Sequence, residues 1–274
     1  MKFQLCSFIC AALALGGCGG GDSKFMPRSS SSMAMSSMMV ASSSSAMSSS
    51  SVASSEMSSS SIAAMVDVKY TIKVTNLTAG QPFSPLAYSL HYAGFAPFTI
   101  GLPATLGLEQ IAESGSTDDY IAEAMANVDV LLVDHAMGLT LPGESKMLEL
   151  SLSVEMANLD QLLFSLVNML GNTNDGFTGV ISIAVGKLAV GESMTLNSLS
   201  YDAGTELNSE TQATIPGPAG GGEGFNAARD DMADQVTMHP GAITKDDGKM
   251  DSTLTHLHRW DNPTARITIT RLAP

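Results

Sequence analysis

The chain has 274 residues, of which 44% are hydrophobic and 15% charged, and its formal net charge is −14 at pH 7. This is enough apolar material for one large domain or two small ones. A strongly acidic chain repels polyanions, so we expect no binding to nucleic acids or anionic lipid headgroups. Cations and basic partners are favoured instead.

The three cysteines all lie near the N-terminus, at Cys6, Cys10 and Cys18. Residues 67–274 therefore contain no cysteine for a disulfide bond or a zinc site. This range holds all but three of the 13 basic residues and all but two of the 27 acidic ones, so it is more acidic than the chain as a whole.

Residues 1–17 have the pattern of a bacterial export signal, in which Lys2 precedes an apolar run that is too short to span a membrane. The sequence Leu15-Gly16-Gly17-Cys18 matches the lipobox of bacterial lipoproteins and predicts a lipid anchor on Cys18. The alternative is a signal peptide without lipidation. Because no aspartate directly follows Cys18, we expect an outer-membrane lipoprotein of the bacterial cell envelope.

Residues 18–66 begin with the predicted lipidated cysteine and continue as serine runs broken by methionine and alanine. Serine and glycine bury little apolar surface, so this segment is predicted to be a disordered, flexible tether. Its methionines are open to two interpretations. They are either drift within a Ser-rich repeat, or an oxidation sink or copper-binding tract.

The remaining residues, 67–274, are predicted to form one mostly β domain. Period-two alternation and β-branched residues predict strands at 69–76, 84–91, 129–134, 146–155, 177–185 and 266–271, with 129–134 buried. Capping residues and an alanine-rich run predict short helices at 107–113 and 117–125. The apolar run 160–170 fits a helix or a buried strand. The Gly- and Pro-rich segment 215–225 is predicted to be a long surface loop.

Two loop-like clusters of oxygen-bearing residues flank the strand predicted at 177–185. They are Asn172-Thr173-Asn174-Asp175-Gly176 and Tyr201-Asp202-Ala203-Gly204-Thr205-Glu206. Such residues make turns. Carboxylates and carbonyls gathered at strand ends are also the ligands that Ca²⁺ prefers. Composition therefore leaves two interpretations open, a pair of ordinary turns or a calcium site.

The same segments carry a resemblance to a known family. Asn174-Asp175-Gly176-Phe177-Thr178-Gly179, the Tyr201–Glu206 sequence and Pro263-Thr264-Ala265-Arg266-Ile267-Thr268-Ile269-Thr270-Arg271-Leu272 resemble the spondin N-terminal domain, known from F-spondin, mindin and bacterial secreted proteins. The resemblance covers roughly residues 68–272. It implies an all-β, C2-like antiparallel β-sandwich with one bound Ca²⁺ and a role in adhesion and recognition. It also favours a strand for 160–170, and short accessory helices accompany the sandwich.

The resemblance implies a set of Ca²⁺ ligands. Asp175 and Asp202 match the two aspartates of the family pattern directly. Glu155 matches a glutamate on the preceding strand with about one extra residue in between, and Glu206 stands where the family has a further acidic residue. Three or four carboxylates brought together repel one another at neutral pH unless a cation neutralises them.

The histidines and the single tryptophan offer further interpretations. His256 and His258, with His239 upstream, fit either a transition-metal site or a surface loop, and no helical ligand spacing supports the metal. Trp260 fits either a core or loop anchor, or a stacking platform for a sugar, which requires an exposed ring.

Signatures of enzymes are missing from the sequence, which has no Gly-x-Ser-x-Gly elbow, no phosphate-binding loop and no dinucleotide fingerprint. We therefore do not expect an enzyme. The predicted function is a membrane-anchored, calcium-binding module that recognises an extracellular protein or glycan. The alternatives are a secreted hydrolase that uses the acidic cluster, and a glycan-binding module.

Overall fold

The computed structural model describes residues 63–274, and β-strands predominate there. The predicted signal peptide, the lipidation site Cys18 and the tether up to residue 62 lie outside the described residues. The first strand begins at Met65, slightly before the predicted domain start at residue 67. None of the helices within 63–274 is long and apolar enough to cross a membrane.

Residues 63–274 form nine strands and several short helices. The strands are β1 (Met65–Asn76), β2 (Leu86–His91), β3 (Val130–Ala136), β4 (Ser145–Glu155), β5 (Leu163–Met169), β6 (Gly176–Ala184), β7 (Ser193–Asp202), β8 (Thr237–Met238) and β9 (Ala265–Leu272). The α-helices are α1 (Leu106–Ser114) and α2 (Asp118–Met125). Single 3₁₀ turns cover Met156–Gln161, Lys245–Asp247 and His256–His258.

The strands form two antiparallel layers that share β7. One layer has the order β4-β1-β9-β7, and the other has the order β3-β2-β5-β6-β7, with β8 beside β7. Residues 193–198 of β7 pair with β9, and residues 199–202 pair with β6. The prediction of an all-β, sandwich-like antiparallel fold with short helices is therefore confirmed.

The main core lies between the two layers. One layer contributes alternate residues of β1, β4 and β9, among them Tyr70, Ile72, Leu148 and Ile269. The facing layer contributes residues of β2 and β5, among them Leu90, Phe164 and Leu166. A second core lies on the outer side of β2 and β5, where α1 and α2 pack through Leu108, Ile111 and Tyr120. The helices thus cover one layer, while the outer face of the other layer is open to solvent.

Burial on both faces explains the apolar run at 160–170. A strand that is covered on both sides reads as a continuous hydrophobic segment instead of an alternating one. The strand β5 within this run confirms the strand preference, because six of its seven residues are buried. Asp160 and Gln161 belong to the preceding 3₁₀ turn.

One prediction about burial was wrong. The strand predicted at 129–134 is β3, which is half-buried because it pairs with β2 along only one of its edges within the described residues. The segment 215–225 is a loop without helix or strand, as predicted, and all of its residues except Ile215 are at least partly exposed. Ile215 is fully buried, and its carbonyl oxygen accepts a hydrogen bond from the Gly222 N–H at 2.9 Å.

The two environments can be compared with one substitution. Leu166→Ala on β5, where the side chain is 1% exposed, is expected to lower the free energy of unfolding by about 2–5 kcal/mol. Leu131→Ala on β3, where the side chain is 39% exposed, is expected to cost less than about 1 kcal/mol. Urea unfolding of both variants measures the difference. Equal losses would contradict the placement of β3 at the edge.

Candidate metal centre

The candidate site lies at the end of the sandwich where β6 begins and β7 ends. Gly176 at the start of β6 pairs with Asp202 at the end of β7. The antiparallel register therefore brings the two oxygen-rich sequence clusters together, and it places Asp175 beside the turn that follows Asp202. The residues of the first cluster, Asn172 to Asp175, are all buried, so they are not an ordinary surface turn.

Asp175 is fully buried and joins the two clusters through one of its carboxylate oxygens. Its Oδ2 accepts hydrogen bonds from the backbone N–H groups of Thr205 at 2.8 Å and Glu206 at 3.1 Å. Its other oxygen, Oδ1, has no hydrogen-bond donor within residues 63–274. The carboxylate thus fixes the loop after β7 and keeps one oxygen free.

Asp202 shapes the turn that holds this arrangement. Its Oδ1 accepts a hydrogen bond from the Gly204 N–H at 2.9 Å, and its Oδ2 accepts one from the Asn208 amide at 2.6 Å. Gly204 has a φ of 71°, and a Cβ there would lie 2.3 Å from the carbonyl oxygen of Gln235. Only glycine meets both conditions, which accounts for its place in the Tyr-Asp-Ala-Gly-Thr sequence.

Two glutamates complete the cluster, and one of them was not found from the sequence. Glu206 is 8% exposed, and Glu113 of α1 is fully buried. The Glu113 Oε2 accepts a hydrogen bond from the Asn226 N–H at 2.9 Å, while its Oε1 has no donor within the described residues. The available signal was the i, i+4 spacing of Glu109 and Glu113, which puts both on one face of a short helix.

Burial and mutual repulsion raise the pKa values of these carboxyl groups. Burial, with the Asp202 charge, raises the pKa of Asp175 to about 7. Burial, with the charges of Glu113, Asp175 and Asp230, raises the pKa of Glu206 to about 8. Burial also raises the pKa values of Glu113 and Asp202. A cation bound among them would remove the cause of these shifts.

Basic side chains near the cluster act on it from a distance and not through ion pairs, since the charge of Arg229 lowers the pKa of Glu113. None of the ion pairs formed within residues 63–274 includes Glu113, Asp175, Asp202 or Glu206. Arg229, which lies near Glu113, is bound by the carboxylates of Glu109 and Asp234 instead.

Glu155 does not lie with the other predicted ligands. It ends β4 and pairs with Met65, at the start of β1. The candidate site lies beyond the opposite end of β1, where Gln81 accepts a hydrogen bond from the Asn76 amide on its carbonyl oxygen and one from the Asn172 N–H on its side chain. A strand of 12 residues spans about 40 Å. Glu155 is therefore too far away to share an ion with Asp175.

The three histidines of the alternative transition-metal site also lie in different environments. His239 is buried against Trp260, with ring centroids 5.0 Å apart, and burial lowers its pKa to about 4. His256 is exposed, and its Nδ1 lies 3.1 Å from Asp246. Within residues 63–274, no three His, Cys, Asp or Glu side chains form a preformed group of metal ligands, and this includes the carboxylate cluster.

The cluster nevertheless fits a hard cation in its chemistry. All of the side-chain atoms that could bind a metal in this cluster are oxygens, which suits Ca²⁺ and not a metal that prefers nitrogen or sulfur. Asp175 Oδ1 and Glu113 Oε1 are buried acceptors without donors in the described part of the chain. Glu113, Asp175, Asp202 and Glu206 are thus the residues that would hold such an ion.

Comparison of the chain with protein-family models and with curated proteins found no match.

With a chelator present, we expect the melting temperature to fall as the pH rises from about 5 to about 8. The folded-state pKa values of Asp175 and Glu206 lie above those of ordinary carboxyl groups, so folding favours their protonated forms. The stability they contribute is fully present below the unfolded pKa, about 4, and is lost as the pH rises through about 7 and 8.

Thermal melts followed by circular dichroism measure this dependence. Asp175→Asn should flatten it, because an amide does not titrate. Asp67→Asn, which removes an exposed carboxylate from β1, is the matched control and should leave the slope unchanged. An identical slope in the wild type and Asp175→Asn would contradict the raised pKa.

Proposed function

We propose that this chain is a lipoprotein of the bacterial cell envelope whose β-sandwich domain binds Ca²⁺ and recognises an extracellular partner. The lipobox at Cys18 supports the anchor, and the resemblance to spondin N-terminal domains supports the recognition role. The observation that carries the proposal is the buried cluster of Glu113, Asp175, Asp202 and Glu206, which has no paired base within the described residues.

Calcium binding follows from the cost of burying these groups. A buried carboxylate without a partner either takes up a proton or lowers the stability of the fold by several kcal/mol. A divalent cation among four carboxylates offsets the charge without a proton. Ca²⁺ accepts six to eight oxygen ligands in flexible geometry, so backbone carbonyls and water can complete a sphere of carboxylates.

The positions of the four carboxylates on different segments of the chain support the recognition role. Glu113 belongs to α1, Asp175 to the loop between β5 and β6, Asp202 to the end of β7, and Glu206 to the long segment that follows. An ion among them would hold four parts of the chain together at one end of the sandwich. Loops held on a rigid scaffold are the usual location of binding surfaces.

Burial favours this role over the hydrolase alternative. A catalytic carboxylate must contact its substrate. Asp175 is 0%, Asp202 4% and Glu206 8% exposed, so a substrate would not reach them without a rearrangement of the loops. A metal ion is small enough to be enclosed among them.

Thermal unfolding of the full chain with Ca²⁺ and with a chelator tests the ion. A ligand that binds only the folded state stabilises it by about 2.7 kcal/mol at a hundredfold excess over its Kd, which corresponds to a rise in melting temperature of about 5–10 °C. Asp202→Asn should abolish most of this rise, since it removes a charged ligand. A wild-type chain that melts at the same temperature in both conditions would refute calcium binding.

The membership of the cluster is tested by two equivalent substitutions. Glu113→Gln is expected to weaken Ca²⁺ binding by about tenfold or more, because a charge-assisted contact is worth roughly 1.5–3 kcal/mol. Glu155→Gln is expected to leave the affinity unchanged, since Glu155 lies at the opposite end of β1. Isothermal titration of both variants gives the affinities. The reverse order of effects would favour the ligand set based on resemblance.

A further inference from the structure

A cavity of about 520 Å³ opens beside Trp260. Its walls come from three separate segments, residues 77–79 after β1, residues 240–242 after β8, and residues 259–261 before β9. This volume lies within the range of pockets that bind small molecules. The cavity is outside the carboxylate cluster and contains none of its four residues.

Trp260 is fixed in the wall of this cavity and is partly buried. One side of its ring packs against the main core, and the His239 ring lies 5.0 Å away at an interplanar angle of 60°. The ring is therefore held in place by the fold and still lines an open space, which is the arrangement a stacking platform requires.

The two charged groups of the cavity, Arg259 and Asp261, differ in whether they already have partners in the protein. The Arg259 guanidinium donates to the Asp247 carboxylate and, at 3.4 Å, to the Thr244 hydroxyl. The Asp261 carboxylate is exposed, and none of the ion pairs within residues 63–274 includes it. A ligand in the cavity thus meets one aromatic face, one available carboxylate and one cation that is already paired.

These groups select among ligand classes. An anionic ligand would face the free Asp261 carboxylate and the net charge of −14. A cationic ligand would be attracted by Asp261 and by the net charge, but it would lie beside the Arg259 guanidinium on the same wall. A neutral sugar has an apolar ring face for the indole and vicinal hydroxyl groups that donate to a carboxylate, so it satisfies both features without repulsion.

We propose that the Trp260 cavity is a subsite for a neutral saccharide, with a pyranose ring against the indole and its hydroxyl groups bonded to Asp261. This inference rests on the recognition role proposed above and names its ligand class. The wall of the cavity is also tied to the candidate metal centre. Buried Gln81 donates to the carbonyl oxygens of His258 at 3.0 Å and Asn172 at 3.3 Å.

The single tryptophan makes the test direct, because Trp260 is the only source of indole fluorescence in the chain. We would titrate the full chain with neutral cello-, xylo-, malto- and chito-oligosaccharides and follow the emission. The expected result is a saturable blue shift with at least one series, as the sugar displaces water from the ring. Acidic oligogalacturonate should give no shift.

Asp261→Asn keeps the fluorophore and is expected to weaken binding at least about tenfold, while Asp67→Asn on β1 is the matched control with unchanged binding. No shift with any neutral series, a response to oligogalacturonate alone, or an unaffected Asp261→Asn would each overturn the proposal.

Titrations with Ca²⁺ and with chelator separate this proposal from the calcium site. Asp261→Asn should retain the calcium-dependent rise in melting temperature. Saccharide binding without any calcium effect on stability would remove the ion and leave the sugar subsite. A calcium effect without saccharide binding would support the calcium site and overturn the sugar subsite.

Discussion

The buried carboxylate of Asp175 is the constraint on which the functional end of the molecule depends. It accepts hydrogen bonds from two backbone N–H groups of the segment after β7. These bonds fix the loop between β5 and β6 to the turn after Asp202. Those hydrogen bonds use one oxygen, and the other has no donor within the described residues. The interaction that orders these loops therefore leaves a charge that a cation can offset.

The position of Asp175 depends in turn on β7, the strand shared by both layers. The first half of β7 pairs with β9 and the second half pairs with β6, so the end of β7 lies beside the start of β6. Helix α1 packs on the outer side of β5 and contributes Glu113 from that direction. The cluster is thus assembled from parts of the chain that approach from both sides of one layer.

Buried polar side chains connect the candidate site to the Trp260 cavity. The Gln81 side chain forms hydrogen bonds with the backbone of Asn172, and it also donates one to the carbonyl oxygen of His258, two residues before Trp260. Hydrogen bonds have fixed directions, so such a link positions the cavity wall relative to the metal loop more strictly than apolar contacts would. An ion that orders the Asn172–Asp175 loop would also order one wall of the cavity.

The sequence by itself determined the alternating strands β1, β4 and β9, the two short helices and the two aspartates at strand ends, because those signals are local. It did not determine the central strand β7, the edge position of β3 or the burial of Ile215. Nor did it determine that Glu113 lies near Glu206 while Glu155 lies at the far end of β1. These facts depend on which strands pair and which faces are covered, and only the tertiary structure decides that. A glutamate on a helix reads the same in sequence whether it faces solvent or a buried carboxylate, since its surroundings come from residues distant along the chain.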